Sequence, residues 1–186
     1  MPSIVIVYFS ATGTTAALAD LIESGASELV EVIKYRIEGR VIHEGRFRDE
    51  RALELIDRAD AVVFGSPTYM GGPAAQFKAF ADATGDRWSA CAWKDKVAAG
   101  FTTGSCPNGD QSYTLNYFSV LAAQHGMLWC NLDIPGGYDA LGRNRLGTQV
   151  GHASVANDGQ LLEEDALTAA HLGRRVAQLV MKLTPE

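Results

Sequence analysis

Ile4 to Phe9, Leu29 to Tyr35, Ala61 to Gly65, Val97 to Phe101 and Met127 to Leu132 are short, nearly unbroken runs of apolar and β-branched residues. This is the pattern of parallel strands covered on both faces. Between the runs the apolar spacing becomes helical: Leu18, Leu21 and Ile22 after the first run, Leu53 and Ile56 after the second, Phe77 and Phe80 after the third, Leu115, Phe118 and Leu121 after the fourth. A last amphipathic segment carries Leu162, Ala166, Ala169, Ala170, Val176, Leu179 and Val180. It opens with Glu163, Glu164 and Asp165, where a helix dipole favours acids, and holds Arg174, Arg175 and Lys182 in its later turns. The alternation predicts an α/β fold, a three-layer doubly wound sandwich around a five-stranded parallel sheet, because parallel strands need crossovers long enough for helices. In such a sheet the ligand site lies at the carboxyl ends of the strands. Asp133 to Asp158 breaks the rhythm: it contains Pro135, several glycines and no long apolar run, and reads as a functional loop or an oligomer contact.

The length of 186 residues fits one domain over 1–186, since domains run to roughly 100 to 200 residues. With 47% hydrophobic and 20% charged residues the chain is expected to fold around a sizeable core. The net charge of -6 repels a phosphate backbone and argues against nucleic acid as a partner. No run approaches the roughly 20 apolar residues of a membrane span, and MPSIVIVYFS has no basic flank before its apolar stretch, so neither membrane insertion nor export is expected. Cys91, Cys106 and Cys130 show no Cys-x-x-Cys spacing, which points to no disulfide framework, no zinc site and a reducing cytoplasm. His43, His152 and His171 form no metal-ligand spacing either.

Chemistry is expected in the loops after the first, third and fourth strands. Ser10-Ala11-Thr12-Gly13-Thr14-Thr15 brings four hydroxyls and a glycine to a strand-to-helix junction. Backbone N–H groups and hydroxyls there can hold a phosphate without a cation; the competing reading is an ordinary Ser/Thr helix cap. Neither the Gly-Lys-Ser/Thr of a P-loop nor Gly-x-Gly-x-x-Gly occurs. Gly65-Ser66-Pro67-Thr68-Tyr69-Met70-Gly71-Gly72-Pro73 offers an aromatic, a thioether and backbone donors to a flat heteroaromatic ring, and Thr102-Thr103-Gly104-Ser105 ends the fourth strand in a similar way. Each alone is an ordinary turn. Three of them at three carboxyl strand ends converge on one site.

The sequence resembles the flavodoxin-like proteins, with strand order 2-1-3-4-5, and within them the tryptophan-repressor-binding-protein family of NAD(P)H:quinone oxidoreductases, along nearly its whole length. The loop SATGTT looks like a flavodoxin phosphate loop. Ser66 to Trp88, SPTYMGGPAAQFKAFADATGDRW, resembles the family's second flavin loop and the segment after it; Phe101 to Gly109 resembles the third; Gln124 to Met127, QHGM, matches a His-Gly-Met before the fifth strand; and Gly147 to Gly159 resembles a stretch that precedes the closing helix. The resemblance implies FMN as cofactor, with the phosphate on Ser10, Thr12, Gly13, Thr14 and Thr15 and the isoalloxazine against Pro67, Thr68, Tyr69, Met70, Gly71, Thr102, Thr103, Gly104 and Ser105. It implies transfer of two electrons from NAD(P)H to a quinone, His125 close to the flavin as the catalytic residue, and a homo-oligomer, tetramer or dimer, in which Trp88 walls a neighbour's site; one domain with one open flavin face makes that transfer ping-pong. A flavodoxin-type electron carrier docking on larger redox partners is the alternative. Asp133 to Gly147 is shorter than in the family, and Ser105-Cys106-Pro107-Asn108 replaces a glycine-rich stretch.

Several single residues keep two readings. His125 also sits where an imidazole would interact with a helix C-terminal dipole. Cys106 has no basic flank to stabilise a thiolate and reads as inert. Trp88 and Trp93 mark either an interface or packing beneath a helix, and Arg143 and Arg145 are either partners for the 2′-phosphate of NADPH or solvated loop residues.

Overall fold

The computed structural model describes residues 1–157 and 159–184. Strands β1 (Ser3–Tyr8), β2 (Glu31–Arg36), β5 (Ala61–Tyr69) and β7 (Val97–Gly104) are the first four predicted strands, in parallel register. Two-residue strands β3 (Ile42–His43) and β4 (Arg46–Phe47) form a separate hairpin, and β6 (Gly72–Pro73) folds back on the end of β5. The order β2-β1-β5-β7, with the fifth position beyond β7, is the predicted 2-1-3-4-5.

That fifth position is filled differently from the expectation. Of Met127 to Leu132 only Leu128–Trp129 forms a strand, β8, paired with Val97 and Ala98 at the start of β7. The far half is β9 (His152–Asn157), which pairs with Phe101 through Gly104 and turns back through β10 (Gln160–Leu161). Part of the predicted loop Asp133 to Asp158 is therefore a strand, while its last residue, Asp158, lies outside the described residues. His152 to Val155 alternate polar and apolar side chains, the period-two sign of a half-buried strand, which a search for continuous apolar runs passes over.

Helices α1 (Thr14–Ala26) and α6 (Glu163–Leu183) cover one face of the sheet over Ile4, Ile6, Val63, Ala99 and Phe101. Helices α2 (Glu50–Arg58), α3 (Ala75–Asp82) and α5 (Gln111–Gln124) cover the other over Val5, Val7, Val62, Phe64 and Ala98. The alternation of facing residues along β1 follows from the period of two in a strand. A short helix, α4 (Gly85–Ser89), follows α3. No helix is long and apolar enough to cross a membrane among the described residues.

The segment between β8 and β9 is pinned to α6. Arg145 forks onto Asp165 at 2.9 and 2.7 Å, and the buried Asp165 carboxylate also accepts the Val155 N–H of β9. Asn144 donates to the Ile134 carbonyl, and its own N–H donates to the Thr168 hydroxyl. His152, on β9, is fully buried, and burial first and Arg145 second push its pKa down to about 3. The folded protein holds the ring neutral, whereas an unfolded chain takes up a proton below the ordinary value of about 6.5. Its contribution to stability is complete above that pH and is lost as the pH falls from about 6.5 toward about 3. We expect the urea midpoint to be lower at about pH 5 than at about pH 7.5, with a smaller difference in His152→Gln; equal midpoints in the parent protein would contradict the burial argument.

Candidate functional site

The carboxyl ends of β1, β5 and β7 open on one cleft of about 260 Å³, lined by Ala11, Thr12, Thr14, Thr15, Pro67, Thr68, Tyr69, Thr103, Gly104, Ser105, Ala156 and Gly159. The structure brings the three predicted loops together there. At one end stands the start of α1. Gly13 adopts φ +103°, a left-handed conformation that costs other residues a steric penalty, and this turns the chain from strand into helix. The Ser10 hydroxyl accepts the N–H groups of Gly13 and Ala16, each at 3.2 Å, and so acts as the loop's internal brace. Thr14 and Thr15 stand in the helix's first turn, where N–H groups have no partner within the helix.

The opposite wall is stiffened from behind. The Thr68 hydroxyl lies 2.8 Å from those of Thr102 and Thr114, and Thr102 donates to the Ser66 carbonyl at 2.7 Å. Ser66 in turn accepts the Ala74 N–H and ties the hairpin base together. The Gln111 side chain donates to the Cys106 carbonyl and accepts the Gly109 N–H, which closes the loop after β7. The Thr103 hydroxyl lines the cleft, is buried, and has no hydrogen-bond partner among the described residues.

Not every expected residue faces the cleft. Ser10 and Gly13 shape the loop from within. Thr102 lies behind the wall, since neighbouring positions on a strand point to opposite faces and Thr103 takes the cleft side. Met70 and Gly71 form the tip of the β5–β6 hairpin at φ +49° and +78°, with the Met70 side chain in solvent. Ala156 and Gly159 line the cleft and were missed, because their stretch reads as a loop; the alternation from His152 to Val155 is a signal that could have revealed the strand carrying Ala156.

His125 lies away from the cleft within the chain. Helix α5 runs back from the carboxyl to the amino ends of the strands, so a residue between α5 and β8 must lie at the foot of the sheet. The eight residues of β7 span about 25 Å between that foot and the cleft. There His125 is buried, its Nε2 lies 2.8 Å from the Thr84 hydroxyl, and its ring packs on Trp93 at 4.4 Å. Burial lowers its pKa. Within the chain it packs between Thr84 and Trp93, away from the cleft. Trp93 is likewise a packing residue, donating to the Asp57 carboxylate at 2.7 Å, whereas Trp88 on α4 is half exposed. Arg143 is held by Asp139 and Arg145 by Asp165, so both are paired within the chain and neither is simply solvated. The three cysteines are free, and Cys106 is exposed.

A doubly wound parallel sheet in this order, with its cleft at the switch between β1 and β5, defines a flavodoxin-like protein. The chain belongs to the NADPH-dependent FMN reductase family, whose model matches residues 4–132. It is 40% identical to Flavodoxin FldP of Pseudomonas aeruginosa over 98% of this chain and 99% of that protein. It is 33% identical to an NAD(P)H dehydrogenase (quinone) of Archaeoglobus fulgidus over 98% of this chain and 100% of that one. Among solved structures, the flavodoxin, WrbA-like protein from Agrobacterium tumefaciens superposes with a TM-score of 0.78 at 34% identity, covering 99% of this chain and 100% of its own. Membership of this family implies FMN as the cofactor, and the cleft fits it. Hydroxyls and helix N–H groups at one end suit a phosphate, the Tyr69 ring and Pro67 at the other suit a flat ring, and the buried Thr103 hydroxyl, without a partner among the described residues, can meet a polar group of the ligand.

Proposed function

We propose that the chain is an FMN-dependent oxidoreductase that passes two electrons from NAD(P)H to a quinone. The observation that carries this reading is the convergence of the hydroxyl loop at α1 with the braced walls of β5 and β7 on a single cleft. In it Thr12, Thr14 and Thr15 hold the phosphate, while Pro67, Thr68, Tyr69, Thr103, Gly104 and Ser105 line the ring, with Thr102 and Thr114 fixing the Thr68 wall from behind. Bound FMN supplies the redox chemistry, taking up two electrons and giving them on. The protein binds the cofactor by its phosphate and orients the ring against a wall in which the Thr68 hydroxyl is already paired, and nicotinamide and quinone use the open side of the cleft in turn. That order of events gives parallel-line kinetics.

A carrier reading stands beside it, favoured by the 40% identity to a flavodoxin along the whole chain and by the acidic balance of -6, which suits electrostatic docking on a larger partner. Anaerobic addition of NADPH separates the two. Stoichiometric bleaching of the oxidised-flavin absorbance, followed by recovery on adding a benzoquinone, is the expected result; a flavin that bleaches only with dithionite would favour the carrier.

The half-exposed Trp88 on α4 supports a homo-oligomer, tetramer or dimer, in which this ring reaches a neighbour. Light scattering returning the monomer mass of 20.0 kDa would remove that part. A cytoplasmic location fits a chain with three free cysteines.

A further inference from the structure

Strand β2 lays two cations along helix α1. Lys34 and Arg36 are two positions apart and share one face of the strand, the face on which their β1 neighbours Ile6 and Tyr8 pack toward α1. Lys34 is neutralised there, with Nζ 2.5 Å from the carboxylates of both Asp20 and Glu23. The helix runs antiparallel to the strand. Two residues further up β2 is a step of about 6.6 Å, which corresponds to roughly four residues back along α1, at its first turn. At that level the Arg36 Nη2 donates to the Ser10 carbonyl at 2.7 Å, which fixes the guanidinium to the hydroxyl loop. Its one carboxylate neighbour among the described residues is Glu38, at a loose 3.7 Å, with both side chains near half exposed.

The loop from Ser10 to Thr15 contains no lysine or arginine, so every donor it offers a phosphate is neutral. A dianionic ligand entering a protein of net charge -6 gains from any cation held in place beside it. We propose that Arg36 is that cation: a residue from the neighbouring strand, fixed to the Ser10 carbonyl, that gives the cleft its preference for the phosphorylated flavin over the unphosphorylated one. Lys34 cannot share the task, because Asp20 and Glu23 hold it lower on the helix. The inference rests on the reading of the hydroxyl loop as the phosphate site.

Quenching of flavin fluorescence tests it, with FMN and riboflavin titrated into the parent protein, Arg36→Gln and Arg36→Lys at about 0.02 M and about 0.3 M salt. At the lower salt Arg36→Gln is expected to weaken FMN about fivefold, a size set by the partial exposure of the side chain, and riboflavin by less than about twofold. Arg36→Lys, which keeps the charge, recovers most of the FMN affinity. The parent protein loses FMN affinity with salt more steeply than Arg36→Gln. Equal weakening of FMN and riboflavin in Arg36→Gln would overturn the proposal, leaving Arg36 as a brace for the loop; unchanged FMN affinity would overturn it as well. A parent protein that binds riboflavin as tightly as FMN would instead overturn the phosphate reading itself, whatever Arg36 does.

Discussion

Alanine in place of Thr12 and of Thr15 is expected to weaken FMN binding by more than tenfold for each substitution, and the double variant by about a hundredfold or more. Both residues line the cleft beside the opening turn of α1, in a loop that contains no cation of its own. Each hydroxyl removed takes away a hydrogen bond to a charged group, worth about 1.5 to 3 kcal/mol. Riboflavin, which lacks the phosphate, should lose little. The check is a pair of titrations on the same protein, and similar losses for the two flavins would show that these hydroxyls serve the loop and not the ligand.

The second large effect concerns stability. Gly25 of α1 and Gly173 of α6 face each other's helices at the crossing of the two, where a Cβ on Gly25 would lie 1.9 Å from the Ala170 carbonyl oxygen and one on Gly173 would lie 1.9 Å from that of Ile22. On helix propensity alone Gly173→Ala gains up to about 1 kcal/mol. The clash is with backbone, which has no rotamer to change, so the helices must move apart and open the packed layer beneath them. A net loss of about 3 kcal/mol is expected, which for a chain of this length corresponds to roughly 6 to 12 °C in the unfolding midpoint. Calorimetry of Gly25→Ala and Gly173→Ala checks this, and a raised midpoint in either would mean that the crossing is looser than its geometry implies.

The residues that were legible in the sequence are those whose neighbours are fixed by local chain geometry. Ile4 to Phe9 and Val97 to Phe101 are continuous apolar runs, so their burial between two helix layers follows from composition alone. The hydroxyl loop was legible because a strand, a glycine and a helix start within a few residues leave the chain one way to turn. Positions set by long-range contacts were not. FTTG shows two threonines, and only the pairing of β7 with β5 decides that Thr103 meets the cleft while Thr102 bonds to Thr68 behind it. His125 was placed by motif resemblance, whereas its depth in the molecule is set by the direction of α5, which carries it to the foot of the sheet. Trp93 gives no local sign that Asp57, on α2, will accept its N–H. Arg36 lies far from the hydroxyl loop in sequence and reaches it only through the pairing of β1 with β2.

The division of the fifth strand position has a further consequence, for how the protein can be altered. Because β8 holds only Val97 and Ala98 and β9 holds Phe101 to Gly104, no single strand transmits the length of the segment between them into the register of β7. Both flanks have their own anchors, Ile134 through Asn144 and Val155 through Asp165, so that length is mechanically isolated from the wall that carries Ala156. The exposed tip at Tyr138, beside Gly137 at positive φ, is a place where chain can be added or removed, bounded by Asp139, which holds Arg143. This edge of the sheet can thus be varied independently of the cleft.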